Sequence, residues 1–509
     1  MQYGLLIKDH TAFFVSSALI ALTISFSYDF LATSFIRKGD LMNSITELLN
    51  LEDNNLIVSD ISIEDGNKII TLETLPTAHY CPACGFRMYS KGIKKRRIKH
   101  PILQDNYELI IILKQRRWLC TNENCRYNIS ESFKFANKRR RTTNATDLLI
   151  VFAHRNLLET SASIANRFHV SDTYVHDVFS RYVNMKRLPL TDAICVDEVF
   201  IDLDEYCKYA LVIQDFHTGE PLDLLRSRRK NVTEPYFLSI PREERAAVKY
   251  LISDMYNPYI NYVEQYFPNA VSVIDSFHVI QWITRLIDNY IRLLLRKFRM
   301  RDKEREEALS LEQQRPVHLP VSDEVYLLQN FRWLILANQA NINYRSDLHM
   351  DSHFHCYMNT FDYEESLFRI DSNLQELRDQ KERYIQFNKR NEGNPLTARL
   401  ELDELISTYS ISEHEMFRQF AEILEKYKEP IINSFIMVEK AASKNGKSRL
   451  SNGPIESLNR KVKDLKRLGR GFRNFEHFRN RFLYATRENP ELNGTSDRII
   501  NISSAEENE

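Results

Sequence analysis

The sequence predicts a multidomain α+β protein, and three observations predict it. Two cysteine pairs, Cys81/Cys84 and Cys120/Cys125, bracket strand-like segments such as YELIIILKQRRWLC. From Asp192 to about residue 277, apolar runs rich in β-branched and aromatic residues alternate with helix-like stretches. Beyond that point helical periodicity runs almost unbroken to residue 445.

The bulk numbers bound the reading without deciding it. The chain has 509 residues, enough for several domains, and its composition is globular at 43% hydrophobic and 27% charged. Lys+Arg and Asp+Glu balance at 69 each, so charge distribution rather than net charge must point to a partner. Basic residues cluster in KGIKKRRIK (91–99), KQRR (114–117), NKRRR (137–141) and a C-terminal helix. Seven cysteines, an odd count with two short pairs, argue against a secreted disulfide framework and for a reducing compartment.

Residues 1–41 form an apolar leader. Segment 11–28, TAFFVSSALIALTISFSY, carries no charge and nearly reaches spanning length. Three readings are open: a membrane segment, a signal peptide without a convincing cleavage site, or a non-native leader translated from upstream of the true start. The last is preferred, because MNSITELLNLEDNN from Met42 reads as a soluble N-terminus. The expected organisation continues with an N-terminal segment (42–77, with a helix over Ser44–Leu51) and a four-cysteine ribbon (78–135). A helix-turn-helix (142–186) and the first part of an α/β core (190–300) follow. A helical insertion (301–440), core completion (441–485) and a flexible tail (486–509) end the chain.

In the ribbon, CPACG and CTNENC each place two thiolates on one tight turn. Two such turns supply the four corners of a tetrahedral site, here Cys81, Cys84, Cys120 and Cys125, expected to hold a structural zinc ion. Gly85 suits the first turn because a knuckle needs positive φ. The strands between the pairs carry Lys94, Lys95, Arg96, Arg97, Arg116 and Arg117, which read as a phosphate-binding surface. A solvated charged face is the plainer alternative.

SASIANRFHVSDTYVHDVFSRYV has helix-turn-helix logic. A short helix over Ser161–Phe168 puts Ile164, Ala165 and Phe168 inward, HVS makes the turn, and Ser171 or Asp172 caps the next helix. There Val175, Val178, Phe179 and Tyr182 form an apolar stripe. Thr173, Tyr174, His176 and Asp177 are left to face a DNA groove, although ordinary helical hairpins read similarly.

The first strand of the α/β region, AICVDEVFID, carries Asp197 and Glu198 in an apolar run. Neighbouring strand residues point to opposite faces, so only one can join a given site. A carboxylate there is costly unless paired or metal-bound. CKYALVIQD and GEPLDLLRS read as the second and third strands. A helix through VTEPYFLS, a fourth strand ending at Asp254, a helix NPYINYVEQYF and a fifth strand ending near Asp275 and His278 follow. This order is ribonuclease-H-like, and in it the first and fourth strands lie side by side, bringing Asp197 opposite Asp254.

Taken together, the cysteine ribbon, the helix-turn-helix, VDE, SDMYNPY, FPNAVSVIDSFHV and SNGPIESLNRKVK, in this order over most of residues 42–485, resemble the DDE transposases of the bacterial insertion-sequence L-three family. The resemblance implies an enzyme that binds the terminal inverted repeats of an element and carries out metal-dependent DNA strand cleavage and strand transfer. It implies Asp197, Asp254 and Glu456 as the catalytic, metal-holding triad. Asp275 and His278 match an accessory Asp-x-x-His motif. Asp254 is preferred over Asp275 as the second acid, because it follows the fourth strand.

Three carboxylates can hold two magnesium or manganese ions about 3.5–4 Å apart. Pro454 fits the first turn of the Glu456 helix. Glu456, Arg460, Lys463 and Arg467 share one face, so acid meets metal while the cations meet phosphates; Ile455, Leu458, Val462 and Leu465 form the apolar face. An ordinary amphipathic helix with Glu456 at its positive dipole end is the plainer reading. Expected partners are double-stranded DNA, as element ends and target, and further copies of the chain, with no small-molecule substrate and no membrane. The expected location is the bacterial cytoplasm, at the nucleoid. A transposase-derived DNA-binding regulator without catalysis is the alternative.

Overall fold

A computed structural model of the chain describes residues 55–75, 77–101, 108–440, 446–469 and 472–493, together with positions 46, 49, 51, 53 and 443. The expectations for the apolar leader, for most of the Ser44–Leu51 helix and for the tail beyond residue 493 lie outside the described residues. The chain divides into two compact units, Met1–Asn144 and Ala145–Glu509.

The first unit is built on a five-stranded sheet of order β1-β2-β4-β3, with β5 (Asn128–Ser130) also paired to β4. Strands β1 (Leu56–Glu64) and β2 (Asn67–Thr74) form an antiparallel hairpin. Its turn, Asp65-Gly66, takes φ of 50° and 81°, the left-handed pair that matches strand twist. Strand β4 (Leu109–Cys120) lies parallel to β2 and antiparallel to β3 (Met88–His100). Leu56, Val58, Ile70, Leu72, Ile98, Ile111, Leu113 and Phe135 form the core of this unit. A smaller cluster, Cys81, Met88, Trp118 and Cys120, sits at the cysteine end of the same sheet.

The second unit centres on a five-stranded sheet of order β10-β9-β6-β7-β8. Strand β6 (Ala193–Asp204) pairs antiparallel with β7 (Cys207–Asp215), and β7 with β8 (Pro221–Leu225). On its other side β6 is parallel to β9 (Tyr250–Ser253), which is parallel to β10 (Val271–Ile274). Period-two alternation gives the sheet two buried faces. Ile194, Val196, Leu211 and Ile213 pack against Phe237, Tyr259 and Tyr266 from the crossover helices. Cys195, Val199, Ile201 and Val212 pack instead against Ile455, Leu458, Val462 and Phe478 from two C-terminal helices, Gly453–Leu468 and Phe475–Thr486.

The same cluster takes in the helix pair Ser161–Arg167 and Asp172–Tyr182 through Ile164, Ala165, Val175, Val178 and Phe179. Ser171 caps the second helix, its hydroxyl oxygen accepting the Tyr174 N–H at 3.2 Å. After β10 a single 38-residue helix, Ser276–Gln313, runs across position 300 into the helical region. That region has its own core, with Ile283, Ile287, Leu377, Tyr384, Phe420 and Leu424 among its members. It also carries two small hairpins, β11–β12 (His349–Asp351, Cys356–Met358) and β13–β14 (Met437–Glu439, Lys447–Arg449), of which all but the last strand fall in the stretch to residue 445 that the sequence suggested to be almost wholly helical. Three-residue strands carry too little periodicity to be read from sequence. Among the described residues no helix is long and apolar enough to cross a membrane.

His154 lies in this shared core at 1% exposure, its ring 4.6 Å from that of Phe179. Its Nδ1 bonds the Ile150 carbonyl at 2.7 Å. Burial, reinforced by the Arg481 guanidinium, pushes its pKa down to about 3. The unfolded chain therefore binds a proton that the folded chain refuses. The contribution to stability is complete above the unfolded value of about 6.5 and is lost as pH falls toward about 3, at about 1.4 kcal/mol per unit. Urea denaturation at pH 7 and pH 5.5 tests this: the wild type is expected to lose about 1 kcal/mol more than His154→Phe over that interval, and equal losses would contradict it.

Candidate functional site

Adjacent residues on β6 are sent to opposite faces, and this separates two carboxylates. Glu198 turns toward the crossover helices, where its carboxylate pairs with the Arg228 guanidinium and accepts the Tyr259 hydroxyl. Arg228 is itself stacked over the rings of Tyr209 and Tyr256, at 5.0 and 5.2 Å. Both Glu198 oxygens are thus used within the fold. Asp197 shares its face with Cys195 and Val199, toward the Gly453–Leu468 helix, and its Oδ2 accepts the Asn459 side-chain N–H at 2.6 Å.

Asp254 follows the last residue of β9. The register pairs Val196 with Ser253, so Asp197 and Asp254 leave two neighbouring parallel strands at the same level. Burial, then the charge of Asp254, pushes the Asp197 carboxyl up to about 7. His278 answers on the other side, its Nε2 2.6 Å from Asp254 Oδ1. Burial alone would lower the His278 pKa, but the hydrogen bond and charge of Asp254 outweigh it and the net shift is upward. His278 lies one turn into the long helix rather than on the fifth strand, which ends at Ile274.

Asp275 is differently employed. It caps the long helix, Oδ1 accepting the Phe277 N–H at 2.9 Å, and Oδ2 accepts the backbone N–H of Asn452 at 2.6 Å. Both oxygens hold backbone, and the residue is 6% exposed. Asn452, at the N-cap of the Gly453–Leu468 helix, donates its side-chain N–H to Asp254 Oδ1 at 3.3 Å.

Glu456 lies on the same helix between these contacts, four residues after Asn452 and three before Asn459. Such residues line one face. The helix face bearing Glu456 is therefore tied to Asp254 at one end and to Asp197 at the other. The three carboxylates do not form a closed set: among the described residues, only four cysteines bring three or more ligand atoms all within 4.8 Å of one another. Arg460, Lys463 and Arg467 are exposed further along the helix.

The cysteine set is Cys81, Cys84, Cys120 and Cys125. Sγ separations of 3.8 Å (Cys81–Cys125) and 3.4 Å (Cys84–Cys120) are near those of thiolates at the corners of a tetrahedron with bonds of about 2.3 Å. Gly85 takes φ of 73° and donates its N–H to the Cys81 carbonyl at 2.8 Å, closing the first knuckle. The second, with its wider spacing, closes through Arg126 at φ of 47°, whose N–H bonds the Asn122 carbonyl at 3.0 Å.

The basic residues divide. Lys94, Lys95, Arg97 and Arg117 are exposed. Lys95 lies opposite Lys114 and Arg116 opposite Ile93, which places Lys95, Arg97, Lys114 and Arg116 on one face. Arg96, on the other face, donates to the carbonyls of Asn137 and Arg140, both at 2.9 Å, and so holds the basic connector. In the helix pair Thr173 is exposed, Tyr174 donates its hydroxyl to Asp147 at 2.7 Å, and His176 bonds His477 at 3.1 Å. Tyr174 and His176 are therefore engaged within the fold.

Asn452, Asn459 and the Arg228 and Tyr259 partners of Glu198 escaped sequence reasoning. An Asn before Gly-Pro reads as an ordinary N-cap, and an Asn within a basic helix reads as a polar filler. Asp254 and Asp275 can now be separated by their loads. Asp275→Ala removes a helix cap and orphans a buried N–H, whereas Asp254→Ala also relieves repulsion on Asp197. In metal-free buffer Asp275→Ala is expected to cost about 2 kcal/mol more in chemical denaturation than Asp254→Ala; equal costs would remove the distinction.

A family model described as a transposase, of the DDE insertion-sequence L-three type, matches residues 194–482. The match covers more than half of the chain, from β6 through the helical region to the Phe475–Thr486 helix. No curated protein matches. With the sheet, the helical region and the Glu456 helix all inside the matched span, the chain belongs to the DDE transposases of the insertion-sequence L-three family.

Proposed function

We propose that this transposase binds the ends of its element, cleaves the DNA strands there and joins them to a target, using Asp197, Asp254 and Glu456. The observation that carries the reading is that Asp197 on β6 and Asp254 just after the neighbouring parallel β9 are bonded by two asparagines that flank Glu456 in sequence along one helix. We read the five-stranded sheet as ribonuclease-H-like and the helix pair as a helix-turn-helix.

Asp197, Asp254 and Glu456 would hold divalent ions, magnesium or manganese. The donor set is all oxygen, which suits hard cations. Burial first, and the charge of Asp254 second, push the Asp197 carboxyl up, and a bound cation would relieve both. Bound there, a pair of such ions supplies Lewis-acid stabilisation of the phosphodiester oxygens and a more acidic attacking hydroxyl. His278 holds Asp254 by charge and hydrogen bond. Arg460 and Lys463, exposed beyond Glu456, suit phosphates that flank the cut. The four thiols suit zinc, which would be structural because four protein ligands leave no open position. Lys94, Lys95, Arg97 and Arg117 suit backbone contacts in the ribbon unit, and Thr173 a contact from the helix pair. Two ends must be processed together, which calls for self-association.

Nicking of end-containing duplex DNA with magnesium tests the assignment. Glu456→Gln is expected to lower the rate at least about 100-fold, the effect of losing several kcal/mol of charge stabilisation, while DNA binding persists. Equal rates would remove Glu456 from the triad. Binding without nicking by the wild type would favour the non-catalytic regulator.

Metal analysis of the purified full-length chain tests the ribbon. The wild type should carry about one zinc equivalent and Cys84→Ser much less, with the Ala145–Glu509 unit still folded. Equal zinc content in both would refute a four-thiolate site.

A further inference from the structure

We propose that Asn452 and Asn459 are positioning residues of the carboxylate pocket: each clamps one aspartate through its side-chain N–H and offers a buried carbonyl oxygen to the hydrated cation held there. The inference rests on the reading of that pocket as a divalent-metal site.

Three independent observations converge. The first is the direction of the donors. Asn459 reaches Asp197 at 2.6 Å and Asn452 reaches Asp254 at 3.3 Å, so each aspartate has its own amide. The second is the unused acceptors. Asn452 Oδ1 and Asn459 Oδ1 are both buried and have no hydrogen-bonding partner within the protein. Buried side-chain acceptors are almost always satisfied, by protein, water or an ion. Two orphaned carbonyl oxygens beside a pair of crowded carboxylates are neutral, hard donors of the kind that magnesium, manganese or their bound waters take.

The third is that neither asparagine is explained by its local structure. An Asn at an N-cap ordinarily accepts an N–H from the first turn. Asn452 makes no such side-chain cap and turns its amide to Asp254 instead. Asn459 sits mid-helix, where Asn is a poor helix former. It is 8% exposed on a helix whose other buried side chains are Ile455, Leu458, Val462 and Leu465. Position 452 is anchored in turn, because Asp275 binds its backbone N–H. Asp275 thus acts on the pocket through Asn452.

Such a clamp has two consequences. Before the cation arrives, the two N–H donors supply partial positive charge where the aspartates repel. When it is bound, they fix the carboxylates in orientation, as outer-shell partners do in other metal sites, where their loss typically costs about 10–100-fold in affinity.

The test is manganese(II) alone, titrated into the full-length chain and followed by electron paramagnetic resonance. Wild type, Asp197→Asn, Asn459→Leu and Asn452→Ala are compared, and manganese-induced stabilisation against heat is the second readout. Asn459→Leu keeps the branched shape, with larger end groups, and removes both amide functions. The wild type is expected to bind at a site that Asp197→Asn abolishes, and each asparagine variant to bind at least about 10-fold more weakly while remaining folded. Variants that bind as tightly as the wild type would overturn the inference and leave the metal site standing. If the wild type binds no better than Asp197→Asn, the metal-site reading itself falls. Should Asn459→Leu fail to fold, Asn452→Ala decides, since its side chain makes no cap and its backbone bond to Asp275 is unaffected.

Discussion

The structure of the second unit is organised around one electrostatic conflict: two aspartates leave neighbouring parallel strands at the same level and partly out of water. Their charges raise each other's free energy in a medium less polarisable than solvent. A fold that only needed stability would not put them there, because an apolar pair at these positions would extend the sheet core. The conflict is held by surrounding groups, each placed by a different element. His278 comes from the first turn of the long helix, Asn459 from the middle of the Gly453–Leu468 helix and Asn452 from its start. Asp275 joins the two helix starts by binding the Asn452 N–H while capping its own helix. Four segments distant in sequence are thereby fixed to one another at the point where the charges meet.

The same strand shows how a carboxylate is treated when no ligand is intended for it. Glu198, next to Asp197 but on the opposite face, is paired with Arg228 and bonded by Tyr259, and Arg228 is enclosed by Tyr209 and Tyr256. Its charge is balanced on the spot. Asp197 receives only neutral donors, the Glu198 backbone N–H and the Asn459 amide, and burial with the charge of Asp254 pushes its carboxyl up to about 7. The contrast between neighbours in one apolar run is a stronger pointer to a site than either residue alone, since both are equally acidic in sequence.

This marks what the sequence could disclose. Period-two alternation and the order of strands and helices were readable, and with them the adjacency of β6 and β9 and the split of Asp197 from Glu198. The knuckles were readable because Cys-x-x-Cys-Gly states its own turn geometry. The apolar faces of the Gly453–Leu468 and Asp172–Tyr182 helices were readable from their spacing. Partners set by tertiary packing were not. Nothing in TYVHD says that Tyr174 bonds Asp147 or that His176 bonds His477, and both were read as free for a DNA groove. Nothing in KKRR says that Arg96 alone of the run is folded back onto the connector. The three-residue hairpins β11–β12 and β13–β14 carry too few residues to announce a period. The asparagines were invisible for a different reason: their role depends on which atoms remain unpaired, and only coordinates reveal that.

Packing then ties the helix pair to the carboxylate pocket. Val175, Val178 and Phe179 belong to one buried cluster with Ile455, Leu458 and Val462, which lie on the apolar face of the helix that carries Glu456. Phe179 also meets His477 and Tyr484 edge-on, at ring separations of 5.2 and 5.8 Å. Interiors are packed as densely as organic crystals, so a shift of the Asp172–Tyr182 helix has no empty space to be absorbed in. It must be passed to its neighbours: Phe179 meets the Phe475–Thr486 helix, which shares the buried cluster with the helix that carries Glu456 and Asn459. A contact made on the outer side of the helix pair therefore acts on the same packed cluster that seats the Glu456 helix. In a helix pair joined to the sheet by a loose linker, movement of the pair and carboxylate geometry would be independent. Built into one buried cluster, they are coupled through the side chains packed between them.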